Sequence, residues 1–283
     1  MRLFITITLM ALIPISASAQ RIIYEPEDSA RIEKTLYRSK GMTTTSTGER
    51  IIAIASEFID EKYMPGTLEQ GDDEPLFISC TKLDCTTFVE LVLAIAKTAD
   101  EGSTKFNDVC HNLEKIRYRN GKNSGYTNRL HYISWWITDS AKNGIITEVT
   151  SQSYNSEKQY LNLNFMSTHP GNYPLLKESP NMVKEIEMQE IPFRGIEVHY
   201  IPKEKITTTA NDNIKAGDIV AITTSIPGLD VTHIGFAYYE NGTPCLLHAS
   251  SSKGKVIKDT RSLNDYLANN RHHTGIRIFR AIF

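Results

Sequence analysis

Asn241-Gly242 joins two runs of alternating apolar and polar residues, VTHIGFAYY and CLLHASS. This dipeptide between such runs is a strong hairpin signal, because both central residues of a type I′ turn need positive φ. A two-residue turn sets the register. Glu240 then opposes Thr243, and His248 opposes Gly235. His233 shares a face with Gly235 because strand side chains alternate, so His233 and His248 become diagonal neighbours, roughly 7–8 Å apart at Cα. One imidazole can then orient the other through a hydrogen bond. A four-residue loop would preserve the shared face, whereas an odd-length loop without a bulge would not. A lone strand histidine is more often structural than catalytic; two on one face raise the odds of chemistry. Cys245-x-x-His248 is a poor zinc pair, since strand residues three apart point to opposite faces.

The rest of the C-terminal part continues the β pattern through GDIVAITT, KGKVIKD and TGIRIFRAIF. The N-terminal part has helical periodicity instead. SARIEKTLYRSKG places Ile32 and Leu36 on one face, with Ser29 as the expected cap and Gly41 as the stop. TTTSTGERIIAIASEFIDEKY sets Ile51, Ile52, Ile54, Ala55, Phe58 and Ile59 at helical spacing. MPGTLEQGDDEPLF is a loop marked by Pro65-Gly66 and Gly71. LDCTTFVELVLAIAK follows, with Phe88, Leu91, Val92, Ile95 and Ala96 in one stripe and Cys85 near the first turn. Helices first and an antiparallel sheet after them imply an α+β fold. From about residue 111 to 212 the chain is less periodic and rich in aromatics. It includes GYTNRLHYISWW, FMSTHPGNYPLL and a helix-like ESPNMVKEIEMQEI. Such a segment either completes the core or walls a groove for a sugar-containing ligand.

MRLFITITLMALIPISASAQ has the charged start, short apolar run and Ala17-Ser18-Ala19 site of a secretory signal peptide. Residues 1–19 are therefore expected to be removed, leaving residues 20–283 as one domain, periplasmic or extracellular. The apolar run is too short to span a bilayer and contains Pro14, and no other run approaches ~20 residues, so no membrane insertion is expected. A formal net charge of −2 points to no nucleic acid. Export would permit disulfides among Cys80, Cys85, Cys110 and Cys245. A chain of 283 residues buries enough core without staples, so Cys80 and Cys110 read as buried apolar side chains, with a pairing between them left open.

Cys85 is then a structural thiol, half of a disulfide, or a nucleophile. A helix N-terminus offers free N–H groups and partial positive charge. Both favour a thiolate, and a neighbouring imidazolium would lower its pKa further. The same N–H groups can hold the oxyanion of a tetrahedral intermediate. A helix-start cysteine, a base histidine and a second, orienting histidine make up the parts of cysteine acyl transfer. Asp84, next to Cys85 in sequence, suits a capping role.

LDCTTFVE, THIGFAYY and LLHASS, in this order, resemble the three catalytic segments of the NlpC/P60 superfamily of cell-wall cysteine hydrolases. KYMPGTLE resembles that superfamily's tyrosine-bearing loop. The usual D-C-S-G is D-C-T-T here, and the glycine pair after the tyrosine loop is reduced to Pro65-Gly66. With GTLE, GYTNRLHYISWW and the FMSTHP to IPFRGIEVHYIPK region, the chain from about residue 47 onward looks like the DUF1460 family, described as N-acetylmuramoyl-L-alanine amidase-like. The resemblance implies a papain-like fold with the cysteine helix packed on the sheet and residues 111–212 as a substrate-side insertion. It implies Cys85 as nucleophile, His233 as general base and His248 as orienting residue, with Tyr63 and Cys85 at the oxyanion site. It implies hydrolysis of the amide between N-acetylmuramic acid and L-alanine in peptidoglycan or muropeptides, through a thioester, with no metal and no cofactor. A monomer is expected.

Arg129, His131, Tyr132 and Trp135 are candidate substrate contacts. Arg129 could pair with a stem-peptide carboxylate, and the rings could stack on a sugar. Trp135 and Trp136 are adjacent and cannot both face one way, so at least one is expected in the core. His111, His169, His199, His272 and His273 fit no pattern and read as surface or structural. The rivals are a D-glutamyl–diamino acid endopeptidase of the same chemistry and a non-catalytic exported glycan- or peptide-binding module.

Overall fold

The computed structural model describes residues 21–42, 46–69, 71, 73–206 and 213–283; the expected signal peptide lies outside them. Asn241 and Gly242 both have positive φ, at 50° and 81°, and Glu240 pairs with Thr243. The two-residue turn therefore forms as read, and it joins two strands of an eight-stranded sheet.

In chain order the elements are β1 Ile22–Ile23, α1 Pro26–Lys40, α2 Thr47–Ser56, β2 Leu76–Phe77, α3 Cys85–Asp100, α4 Phe106–Arg117 and α5 Ile133–Lys142. There follow β3 Ile146–Glu148, β4 Glu157–Asn162, α6 Phe165–Thr168, α7 Pro174–Lys177, α8 Pro180–Glu190 and β5 Arg194–Pro202. The chain ends with β6 Ile219–Thr224, β7 Val231–Glu240, β8 Thr243–Ser250, β9 Lys255–Ser262, α9 Leu263–Ala268 and β10 His273–Ala281. The main sheet runs β4-β5-β10-β6-β7-β8-β9, and β3 also pairs with β10. Its pairings are all antiparallel.

The alternation of β7 and β8 divides their side chains between two cores. Ile234, Phe236 and Tyr238, with Cys245, Leu247 and Ala249, join the larger core under the N-terminal helices. Ala237 and Leu246 join a smaller core on the other face, with Leu263 and Leu267 of α9. Cys245 and His248 thus lie on opposite faces. The helix α3 is buried all round, with every residue from Thr87 to Ala96 out of solvent, rather than along one stripe. Phe88 seats it edge-on between Phe58 and Phe236, at 6.4 and 5.8 Å between ring centroids.

One expectation changes. The helix α1 begins before Ser29. Pro26 has no N–H to leave unpaired and fits the first helical position, and Glu25 and Asp28 form a capping box ahead of it. Ser29 instead donates its hydroxyl to the Pro26 carbonyl at 2.9 Å. The middle segment, less periodic in sequence, nonetheless supplies strands to the sheet: β3 and β5 both pair with β10, and β4 extends the sheet beyond β5. All four cysteines are free, and Cys80, Cys110 and Cys245 are buried.

Candidate active site

Asp84 caps α3, accepting from the Thr87 N–H at 2.8 Å, while the Thr87 hydroxyl receives the Asp84 N–H at 2.9 Å. That capping box starts the helix at Cys85 and leaves this residue part-exposed at the helix tip. Thr86, His131, Ile133 and residues 229–234, His233 among them, line one cavity of about 100 Å³ with Cys85. A second cavity of about 210 Å³ shares Thr86, His131 and Leu229 with it and is walled by Leu68, Glu69, Arg129, Tyr132, Met166 and Tyr173.

The hairpin register delivers the two histidines to one place. Nε2 of His233 lies 2.5 Å from Nδ1 of His248, with the rings nearly perpendicular at 87°. Gly235 makes room for this: a Cβ there would sit 2.8 Å from Cβ of His248. His248 is fully buried. Its Nε2 faces Oδ2 of Asp259 at 3.8 Å and has no hydrogen-bond partner among the described residues.

Asp259, on β9, escaped the sequence reading. Burial opposes its charge, but the hydrogen bonds from Arg261, with the His248 ring close by, overcome that and hold its carboxyl well below the usual range. Arg261 grips both carboxylate oxygens, at 2.9 and 2.5 Å. Carrying the strand register past Ser251–Gly254 would have found it, because Leu246 pairs with Asp259 and His248 with Ile257, putting Asp259 on the face of His248. Tyr266 escaped too; it lies on α9, which has no signal of its own in the sequence reading.

The charge of Asp259 biases the tautomers. An ionised Asp259 favours the proton of His248 on Nε2, which leaves Nδ1 as a bare acceptor. His233 then donates from Nε2, which leaves the lone pair on its Nδ1. His233 is held neutral: burial, then the neighbouring His248 and His273, push its pKa down to about 3. The Cys85 thiol is pushed up to about 11, by burial first and Asp84 second, against hydrogen bonds from the Ile234 backbone and from Thr86. The helix N-terminus was expected to favour a thiolate; in this closed site desolvation outweighs it. The resting pair is a neutral thiol beside a neutral imidazole.

Tyr63 is brought to the site by its backbone. Its N–H bonds the Gly254 carbonyl at 2.8 Å, and Met64 N–H bonds Leu83 O at 2.9 Å, tying the loop to the β8–β9 turn and to the approach to α3. Its hydroxyl pKa rises to about 12 through burial and then the charges of Cys85, Asp84 and Tyr266.

The candidate substrate contacts separate. His131 lies between the two cavities, its Nε2 2.8 Å from the Tyr126 carbonyl, and burial followed by Arg129 keeps it neutral. Arg129 walls the larger cavity, but its charge is already matched by Glu69 and by Glu74 at 3.4 Å, so no free cation waits there for a stem-peptide carboxylate. Tyr132 keeps only a buried edge on the cavity, and its hydroxyl is occupied by Glu190 at 2.7 Å and the Met166 N–H at 2.8 Å. Trp135 is 1% exposed and Trp136 0%, so both are core. Trp135 packs on Tyr132 and beneath Arg119, away from both cavities. Of the remaining histidines, His273 is buried and stacks on Tyr266 at 6.0 Å, while His111 and His169 are exposed.

Residues 53–276 match the family described as AmiA-like, N-acetylmuramoyl-L-alanine amidase-like. The chain belongs to that family. Among solved structures, an N-acetylmuramoyl-L-alanine amidase from Bacteroides uniformis is 40% identical, covers 84% of this chain and 99% of its own, and superposes with a TM-score of 0.80. A protein from Bacteroides fragilis described as a putative xylanase is 46% identical over 81% of this chain and 99% of its own, at a TM-score of 0.77. A Legionella pneumophila protein assigned to DUF1460 is 25% identical over 91% of this chain and 95% of its own, at a TM-score of 0.68. No curated protein matches. Among the described residues, no helix of this amidase-like chain is long and apolar enough to cross a membrane.

Proposed function

We propose that this protein is a cysteine amidase of the NlpC/P60 type that cleaves the amide between N-acetylmuramic acid and L-alanine in peptidoglycan or muropeptides, after export through its leader. The observation that carries the reading is the shared cavity of Cys85 and His233, with His233 hydrogen-bonded to His248. Cys85 attacks the lactyl carbonyl as Nδ1 of His233 takes the thiol proton. Because both groups rest neutral, proton transfer accompanies attack rather than preceding it. The oxyanion is met by N–H groups at the tip of α3, ahead of the Thr87 N–H that Asp84 caps, and by the Tyr63 hydroxyl. His233 returns the proton to the leaving L-alanine nitrogen. The C–N bond breaks, a muramoyl thioester remains on Cys85, and water then cleaves it. His248, turned by Asp259, keeps the required tautomer of His233 throughout.

The similarity to a putative xylanase raises glycoside hydrolysis as a second reading. That chemistry calls for a pair of carboxyl groups, one free to give a proton and one to attack or activate water. The carboxylates beside the cavities are engaged: Asp84 caps α3, Glu69 and Glu90 hold arginines, and Asp230 accepts from the Ser134 and Val231 N–H groups. The amide reading is favoured.

Incubation of the purified protein and its Cys85→Ala variant with a defined muropeptide, followed by mass spectrometry, tests this. Free stem peptide and free muramyl sugar, absent with the variant, are expected. A dipeptide left on the sugar would move the function to the endopeptidase, and xylan cleavage without amide cleavage would move it to the glycosidase.

A further inference from the structure

We infer that Tyr266 is a positioning residue, whose ring fixes the plane of the His233–His248 pair and keeps water from it. The ring of Tyr266 lies 6.2 Å from His233 at 28°, and 5.3 Å from His248 at 90°. His273 backs it on β10 at 6.0 Å and 11°. Arg261 lies over the same ring at 5.0 Å while holding Asp259. One aromatic ring therefore meets both imidazoles, and the cation over it is the one that holds Asp259.

Ser262 caps α9 by accepting from the Asp265 N–H at 3.0 Å, and Leu263 and Leu267 anchor it in the smaller core. Those anchors leave Tyr266 part-exposed between β9 and β10, facing the histidines. An aromatic ring suits the task. It packs against an imidazole without competing for either nitrogen, so the approach of Asp259 to His248 and the hydrogen bond between His248 and His233 are undisturbed. The charged and titratable groups around the pair come from several elements: Asp259 and Arg261 on β9, His273 on β10 with Lys203 beyond it, Cys85 on α3 and Tyr63 in its loop. Removing the ring would admit water among them and loosen His233.

The inference rests on His233 acting as the base, but its first readout needs no substrate. Nitrogen-15 NMR of the imidazoles in wild type, Tyr266→Phe, Tyr266→Leu and Tyr266→Ala follows the titration and tautomer of His233 directly. Phe is expected to leave both unchanged and to keep kcat within about twofold. Ala is expected to move the His233 titration up toward the ordinary imidazole range and to lower kcat by about 10- to 100-fold, with a smaller change in KM, as for misplacement of a reacting group. Leu, which fills much of the volume without a ring, should fall between them, and it supplies the test if Ala does not fold. Wild-type titration and kcat in Ala or Leu would overturn the inference. So would a Phe variant as impaired as Ala, which would transfer the role to the hydroxyl. Should the muropeptide not be cleaved even by wild type, the NMR titrations still decide the matter of Tyr266, separately from the amidase reading.

Discussion

His248 is held from both sides of its ring: Nδ1 meets Nε2 of His233 at 2.5 Å, and Nε2 faces Oδ2 of Asp259 at 3.8 Å. If that order sets the tautomer of His233, then Asp259→Asn should lower kcat by about 10- to 100-fold, the scale typical of outer partners of a working group. The fold should survive, since Asn fills the same space. Steady-state kinetics and a thermal melt check this; unchanged kcat would make Asp259 merely a partner for Arg261.

The Cys85 thiol, raised to about 11, should alkylate slowly at neutral pH. Its reaction rate with iodoacetamide should keep climbing as pH rises toward 11, because only the thiolate reacts. A rate already on its plateau at pH 7 would mean a thiolate–imidazolium pair in the resting enzyme, contrary to the desolvation argument.

Acid should weaken the fold through His233. Its folded pKa is about 3 and its unfolded value about 6.5, so the unfolded chain binds the extra proton between them. The contribution is fully present above pH 6.5 and is lost as pH falls toward 3, at up to about 1.4 kcal/mol per pH unit. Urea titrations of wild type and His233→Asn across that window should differ in slope. Equal slopes would show that His233 titrates normally.

Glu90 and Arg117 form an ion pair at 2.7 Å with side chains 3% and 2% exposed. Arg117 also donates to the Phe77 carbonyl at 2.7 Å. Glu90→Ala strands the guanidinium and should cost about 3–5 kcal/mol in urea unfolding. A loss under about 1 kcal/mol would mean that water reaches Arg117.

Gly235→Ala tests the room made for His248. The new Cβ would stand 2.8 Å from that residue's Cβ and 2.9 Å from the Leu247 carbonyl. Displacing the ring should reduce kcat by roughly 100-fold, while Cys85 remains open to alkylation at high pH. Near-normal turnover would show that the strands can spread to accept a methyl group.

Much of the site was legible because its parts are local. A two-residue turn, strand alternation and a capped helix start are decided within a few residues, so the pairing of His233 with His248 and the place of Cys85 follow from short stretches. Asp259 and Tyr266 were hidden behind a four-residue turn and a short helix between strands, where register is no longer dictated by one dipeptide. Arg129 and Trp135 misled for a related reason. Residue type announces a charge or a ring, but not whether Glu69 and Glu74 already surround it, or whether α5 turns it inward. The sequence by itself determined the α+β order, the hairpin and the cysteine at a helix tip. Only tertiary structure decided the protonation states, because burial around Cys85 and His233 comes from segments far apart in the chain, and desolvation there outweighs the helix terminus that the local sequence announces.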